Sequence, residues 1–221
     1  MADIFQEVDE ALQKERMEAF WRRWGPWLIA GAVAIVFITA AVVFYKDKRA
    51  QALTEATSKL MQARDADKPL KALSAFADNA DNPHATYARM LAAGKALAGD
   101  DTRKAEDFYN AIVADDAAPG QQRDMARIMA VRTGLDQGDK KADALLARLK
   151  PVLANSKSPW YFHARLQAAV IHGAVKGNFS KGGEMLTALI NKDNIPRGLG
   201  QRARRIKHIY AIRQQQSGDG A

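Results

Sequence analysis

The sequence predicts an all-α protein: a single N-terminal transmembrane helix, an α-solenoid of about four helix pairs, and a C-terminal capping helix. Three observations support this prediction. A charge-free apolar run near the start is long enough to span a bilayer. Farther along, proline steps and Gly-Asp or Gly-Asn turns return at nearly constant intervals between alanine-rich stretches of helical periodicity. The last such stretch has one apolar face and one strongly basic face.

The predicted transmembrane helix covers residues 24–46. Its positions 24–45 hold no Asp, Glu, Lys or Arg, and a helix of that length extends about 33 Å, enough for a hydrocarbon core of about 30 Å. Pro26 is expected near the helix start, where its missing N–H costs nothing. A buried core helix is seldom this long without charge, and a cleaved signal peptide would have a shorter apolar run. The expected anchor residues include aromatics near both ends, as at bilayer interfaces: Trp24, Trp27, Phe37, Phe44 and Tyr45.

Residues 1–23 are predicted to form an amphipathic helix beside the membrane. Ile4, Phe5, Val8 and Leu12 recur at helical spacing among charged residues. A solvated helix is the preferred interpretation, and a docking helix for a cytoplasmic partner is the alternative. The basic residues on the two sides of the apolar run nearly balance, so charge does not set the orientation.

Composition limits the function classes. Cysteine is absent, which excludes disulfides, thiolate metal sites and a cysteine nucleophile. The net charge is +8; residues 1–23 carry −2, so the part after the anchor carries +10. A basic domain tethered to a membrane more often meets membrane lipid or an acidic partner than nucleic acid.

Residues 47–216 are predicted to form the repeat domain. Prolines precede helical runs at positions 83, 119, 159 and 196, which are 36, 40 and 37 residues apart. The turns Gly99-Asp100, Gly138-Asp139 and Gly177-Asn178 lie 39 residues apart. Each unit is therefore a helix, a turn and a shorter helix, and residues 47–65 with 69–79 form a degenerate first unit. Such units must stack to bury their apolar faces, and small residues such as Gly173 let neighbouring helices approach.

The final helix, residues 196–216, is predicted to cover the end of the stack. Its expected apolar face consists of Leu199, Ala203, Ile206, Ile209 and Tyr210. The other face is a candidate basic contact surface for anionic lipid or an acidic partner: Arg197, Arg202, Arg204, Arg205 and Lys207. Residues 217–221 are predicted to be a disordered tail.

No pattern of catalytic or metal-binding residues emerges. His84, His163, His172 and His208 form no His-Glu-x-x-His array, and no nucleophile is paired with a base. We therefore expect no enzyme activity, no cofactor, no metal and no small-molecule substrate. Nucleic acid is also disfavoured, because Tyr210 is the only stacking ring of the basic helix.

The helix–turn–helix units resemble tetratricopeptide repeats. Leu91-Ala92, Gly99-Asp100, Ala105, Tyr109 and Pro119 follow the order of that repeat, although the opening Trp is missing and the spacing exceeds 34 residues. The whole arrangement, with residues 3–12 and the aromatic-basic residues 20–26, resembles the YfgM-type family, an ancillary subunit of the bacterial SecYEG translocon, in its alphaproteobacterial form.

This resemblance implies an inner-membrane protein with a cytoplasmic N-terminus, a periplasmic repeat domain, and contacts with the Sec translocon and periplasmic chaperones. Two function classes follow. One is a membrane-anchored protein–protein interaction module that links the translocon to chaperones or client proteins. The alternative is a structural or assembly subunit of another inner-membrane complex, including one for cell-division coordination, because related repeats occur there.

Overall fold

A computed structural model describes the backbone of residues 3–138 and 142–218, and their side chains except for 3–16, Glu18, Ala19, Leu28, Ser217 and Gly218. The described residues are helical and contain no strand, which confirms the all-α prediction. The elements are α1 (Asp3–Asp65), α2 (Pro69–Asn79), α3 (His84–Ala98), α4 (Thr102–Ala114), α5 (Gly120–Gln137), α6 (Ala142–Ala154), α7 (Tyr161–Val170), a π-helical segment (Ile171–Val175), α8 (Phe179–Ile190) and α9 (Arg197–Gly218).

The chain divides into two compact units, Met1–Glu55 and Ala56–Ala221. The first unit consists of most of α1. Within the described residues, α1 is the one helix long and apolar enough to cross a membrane by length and composition, with a mean hydropathy of 2.6 in its most apolar window. Pro26 lies inside this helix and not at its start, contrary to the prediction, because the helix already begins at Asp3. A proline at such a position removes one backbone hydrogen bond from the preceding turn.

In the second unit each helix packs on the next one along the chain, from α2 to α9. Pro83 and Pro119 directly precede α3 and α5, and Gly99 directly follows α3. Gly138 and Gly177 have φ angles of +73° and +68°, which glycine adopts without strain. The predicted turn partner Asp139 and residues 219–221 of the predicted tail lie outside the described residues.

Two second helices begin with a capping side chain. Asp101 accepts a hydrogen bond from the Lys104 backbone N–H at 3.0 Å, and Asn178 accepts one from the Lys181 N–H at 2.9 Å. These bonds satisfy donors that a helix start leaves open. The polar residues after the turn glycines therefore mark the starts of α4 and α8.

The core of the second unit consists of four apolar clusters, each shared by consecutive helices. The first joins the end of α1 to α2 and α3 through Leu60 and Leu73. The last joins α7 and α8 to α9 through Leu166, Leu186 and Leu199. The predicted apolar face of α9 was wrong in one position: Ile209 is 53% exposed and lies on the outer side of the helix.

Charged side chains connect the two ends of a single repeat next to the proline steps. Asp115, after α4, accepts hydrogen bonds from the Asn82 amide at 3.1 Å and the Arg89 guanidinium at 2.6 Å. These donors lower the pKa of the Asp115 carboxyl. One repeat later, the Ser158 hydroxyl donates to Asp124 at 2.8 Å. The two helices of a repeat are therefore held together by polar contacts as well as by the core.

A buried ion pair connects the second helices of two adjacent units. Glu106 of α4 is 4% exposed, and its carboxylate lies 2.6 Å from the Arg148 guanidinium of α6. The Gln137 side-chain amide donates to the same carboxylate at 2.9 Å. Sequence periodicity did not indicate this contact, because the two charges are 42 residues apart.

Tyr210 of α9 packs into a slot formed by two glycines. A methyl group added at Gly173, in the π segment, would lie 2.2 Å from the Tyr210 ring, and one at Gly182 of α8 would lie 2.8 Å from it. Phe179 packs beside the ring at a centroid distance of 5.5 Å. The Tyr210 hydroxyl donates to the Val170 carbonyl at 3.3 Å. The absence of side chains at both glycines therefore allows α9 to approach α8 and the π segment.

Candidate functional site

A groove of about 440 Å³ lies between α5, α7, the π segment and α9. Its polar side chains are Arg132, Asp136, Gln167 and Arg202. The remaining walls are aliphatic and consist of Leu135, Leu166, Val170, Ala174 and Val175. The exposed lining of this groove is more polar than apolar. Polar groups that converge in a concave surface are one feature of a binding site.

Helix geometry explains why these residues come together. Arg132 and Asp136 are four residues apart on α5, so they share one face. Gln167 and Val170 share a face of α7, and the π segment continues that wall because Ala174 and Val175 also line the groove. Arg202 comes from α9, on the side next to its packed residues Ala203 and Tyr210. Three stretches that are distant in sequence, α5, α7 with the π segment, and α9, therefore supply one surface.

The electrostatics of the groove favour an acidic or neutral polypeptide segment. None of the ion pairs between described side chains involves Arg132, Asp136 or Arg202. Two guanidiniums against one carboxylate leave an excess positive charge. Arg132, Arg202 and the Gln167 amide supply hydrogen-bond donors, and the aliphatic wall accepts apolar side chains. The groove can thus hold a peptide by both kinds of contact.

A second, more polar hollow lies at the start of α5. Its cations are largely compensated: Arg123 pairs with Asp116 at 2.9 Å, and Arg127 pairs with Asp124 at 3.2 Å. Ser158, which bonds to Asp124, also lines this hollow. Because its charges bind one another, we assign this hollow to the joint between repeats and not to ligand binding.

The predicted basic residues separate into two groups. Arg197, Arg202, Arg204, Arg205 and Lys207 are all exposed on α9. Arg202 alone of these lines the groove. The others lie outside it. Sequence analysis therefore identified one residue of the groove, Arg202. It grouped Arg202 with four basic residues that lie outside the groove.

The predicted anchor residues are all exposed on α1. Trp27 and Phe37 are 75% and 71% exposed, and Tyr45 is 68% exposed. Trp24 and Phe44 are 52% and 66% exposed. A helix with large apolar side chains on its surface has an unburied apolar area that water solvates poorly.

The histidines take ordinary structural positions. His163 lies beside the Trp160 ring at a centroid distance of 5.3 Å, and burial lowers the pKa of its imidazole, with a smaller contribution from Arg202. His84 is 3.1 Å from the Thr57 hydroxyl. Within the described part of the chain, no three His, Asp or Glu residues are grouped as metal ligands would be.

Comparison with known families identifies the repeats. A tetratricopeptide repeat-like domain matches residues 18–165. The chain belongs to this family. Tetratricopeptide repeat-like domains generally mediate protein–protein interactions. No match was found among curated proteins or among solved structures.

The tetratricopeptide repeat-like match ends within α7, so Arg202 lies beyond it. Sequence reasoning did not select Arg132 or Gln167 as candidates. One signal was present: Arg132 and Asp136 are exposed polar residues at i and i+4 on α5. That spacing marks a solvated face of α5, but it does not show that α7 and α9 complete a groove there.

Proposed function

We propose that this chain is a membrane-anchored protein–protein interaction module whose groove binds polypeptide segments of partner proteins. The observation that carries the proposal is the groove itself, with Arg132, Gln167 and Arg202 around an aliphatic wall. The family supports it, since tetratricopeptide repeat-like domains serve such interactions. The chain-order packing of α2 to α9 supports an α-solenoid of about four helix pairs closed by α9.

The membrane part of the proposal rests on α1. Its length, mean hydropathy and exposed aromatics support a single-pass anchor at residues 24–46 in a bacterial inner membrane. The likeness of residues 3–12 and 20–26 to the YfgM-type family supports a cytoplasmic N-terminus and a periplasmic repeat domain. By the same likeness, the partners we propose are the Sec translocon and periplasmic chaperones or client proteins.

A photocrosslinking experiment tests the binding role. We expect a photoreactive amino acid at Gln167, in the full chain and in native membranes, to form adducts with several proteins, among them translocon subunits or chaperones. The same residue at Glu184, exposed on α8 and 65% accessible, is the control and should give few adducts. Arg132→Glu should reduce the Gln167 adducts at least several-fold, because it reverses the charge of the groove wall.

The pattern of adducts separates the two function classes. Several partners that compete for the Gln167 position support an interaction module. A single stoichiometric adduct that Arg132→Glu leaves unchanged would instead support the structural subunit of another complex. Equal labelling from Gln167 and Glu184 would refute the groove as the binding site.

A reporter fusion tests the proposed topology. Alkaline phosphatase is active only after export, so we expect an active enzyme when it is fused after Gln216. A reporter that requires the cytoplasm should be active at the N-terminus. An inactive C-terminal fusion that is present at normal abundance would contradict the periplasmic location, and with it the proposed chaperone partners.

A further inference from the structure

Helix α9 has one side packed against the core and an opposite side that is exposed and lies outside the groove. Its packed side consists of Leu199, Ala203, Ile206 and Tyr210. The opposite side, which we call the outer face of α9, is exposed and combines cationic with aliphatic side chains: Arg197, Arg204, Arg205, Ile209 and Ile212. Ile209 is 53% and Ile212 42% exposed. The two isoleucines are three residues apart, so together they form a small exposed aliphatic patch among the arginines.

The positive charge of the outer face is not neutralised within the described structure. The helix Arg197–Gly218 contains six Lys and Arg residues and no Asp or Glu. None of the ion pairs between described side chains involves Arg197, Arg204 or Arg205. The three guanidiniums are therefore available to an external anion.

The combination of arginine and isoleucine side chains on the outer face indicates which kind of anion it binds. Arg205 and Ile209 are one helical turn apart, and Ile212 follows in the next turn, so the cations and the isoleucines share one surface. At an anionic membrane surface, cations of this kind bind headgroup phosphates, and aliphatic side chains beside them can enter the interfacial layer. Guanidinium is well suited to phosphate, because it donates in a bidentate geometry.

Other occupants fit the outer face less well. A second copy of α9 would place guanidinium against guanidinium. A nucleic acid would need stacking rings, and the aromatic side chain of this helix, Tyr210, is 5% exposed and packed inward. An acidic protein would satisfy the arginines, but it would not require exposed isoleucines between them.

We propose that the outer face of α9 binds anionic phospholipid at the membrane surface, with Ile209 and Ile212 in the interfacial layer. This inference rests on the membrane anchor of the proposed function. Leu60, the first core residue of the second unit, follows Tyr45 by fifteen positions. Both residues lie on the continuous helix α1. Attachment to an anchored helix keeps the domain near lipid and raises the effective lipid concentration, so weak headgroup contacts become populated.

Site-specific fluorescence on the full chain tests the proposal. Because the chain has no cysteine, Ile209→Cys provides a unique position for an environment-sensitive dye. The labelled chain is placed in nanodiscs of phosphatidylcholine, with or without phosphatidylglycerol. We expect a blue-shifted emission and at least a twofold intensity gain only with phosphatidylglycerol. About 1 M salt should abolish the change, because it shortens the screening length to about 3 Å.

Two matched variants control the measurement. A dye at Ser180→Cys, exposed on α8, should not respond to phosphatidylglycerol. The combined change of Arg197, Arg204 and Arg205 to Gln should remove the Ile209 response. It leaves the packed side of α9 intact, so an unchanged melting temperature verifies that this variant is folded.

A third dye position tests the membrane anchor separately from lipid binding by the outer face of α9. A dye at Phe37→Cys should be blue-shifted in both lipids if α1 spans the bilayer. If the Phe37 dye is blue-shifted but the emission of the Ile209 dye does not change with phosphatidylglycerol, lipid binding by the outer face of α9 is refuted and the membrane anchor is retained. If the Ile209 dye responds to phosphatidylglycerol but the Phe37 dye is not blue-shifted, the membrane anchor is refuted and lipid binding by the outer face of α9 is retained. An Ile209 response to polyglutamate, without one to phosphatidylglycerol, would overturn the lipid assignment in favour of an acidic protein partner.

Discussion

We expect Gly173→Ala to destabilise the second unit by about 3 kcal/mol, the upper end of the usual cost of overpacking a core. The added methyl group would lie 2.2 Å from the Tyr210 ring. That ring cannot move aside freely, because Gly182 and Phe179 confine it. In a domain of this size, about 3 kcal/mol corresponds to a melting temperature lower by about 6–12 °C. A thermal melt of the full chain in nanodiscs measures the shift.

A nearby glycine provides the control for this substitution. Gly183 is in the same helix as Gly182, but a methyl group added there meets no atom within 4 Å. Gly183→Ala should therefore stabilise α8 by about 0.5–1 kcal/mol, since alanine has the better helix propensity. A loss of stability at Gly183 equal to that at Gly173 would show that the π segment and α8 do not hold Tyr210 as described.

The second large effect is expected at the ion pair between α4 and α6. Arg148→Met should cost about 2–3 kcal/mol, because the Glu106 carboxylate, 6% exposed as a side chain, loses its guanidinium partner in a low-dielectric environment. The expected cost is below the roughly 3–5 kcal/mol of a fully buried pair. Arg148 is 34% exposed, and Gln137 still donates to the carboxylate.

A double substitution tests whether the cost of Arg148→Met comes from leaving the Glu106 carboxylate buried without its partner or from the loss of the ion pair itself. Glu106→Met combined with Arg148→Met replaces both charges by apolar side chains, and we expect it to lie within about 1 kcal/mol of the unmodified protein. Lys176→Met is the comparison at the surface. Lys176 pairs with Asp143 at the same 2.6 Å, but the Asp143 side chain is 86% exposed, so we expect a cost of about 1 kcal/mol or less. If the losses of stability from Glu106→Met and Arg148→Met add in the double variant, measured in the same melts, the buried unpaired carboxylate is not the cause of the destabilisation.

The repeat architecture was predictable because its markers are local. A proline before a helix and a glycine with positive φ after one act within a few residues of their own positions. Gly138 and Gly177 therefore lie in the turns that follow the first helices of their units, as predicted. The tetratricopeptide repeat-like identity followed from the same markers, and the family match over residues 18–165 confirms it.

The groove and the buried pair were not predictable, because they depend on contacts between distant elements. Glu106 and Arg148 look like solvated helix charges until α4 packs beside α6. Ile209 and Tyr210 were both predicted to lie on the apolar face of α9. Neighbouring residues on a helix differ by about 100° in direction, however, and the two side chains face different environments. The sequence marked Gly173 as a position of close approach, but it did not identify Tyr210 as the side chain that packs there.

The packing of Tyr210 between Gly173 and Gly182 has a consequence for the proposed peptide binding. Arg202, two turns earlier on α9, lines the groove while that ring is packed against the two glycines. If the groove binds peptide as proposed, its apparent affinity falls in proportion to the fraction of molecules in which α9 has detached. By thermodynamic reciprocity, a peptide that contacts Arg202 strengthens the docking of α9 by the same free energy. Small changes at the two glycines would thus tune binding at a surface that neither glycine touches.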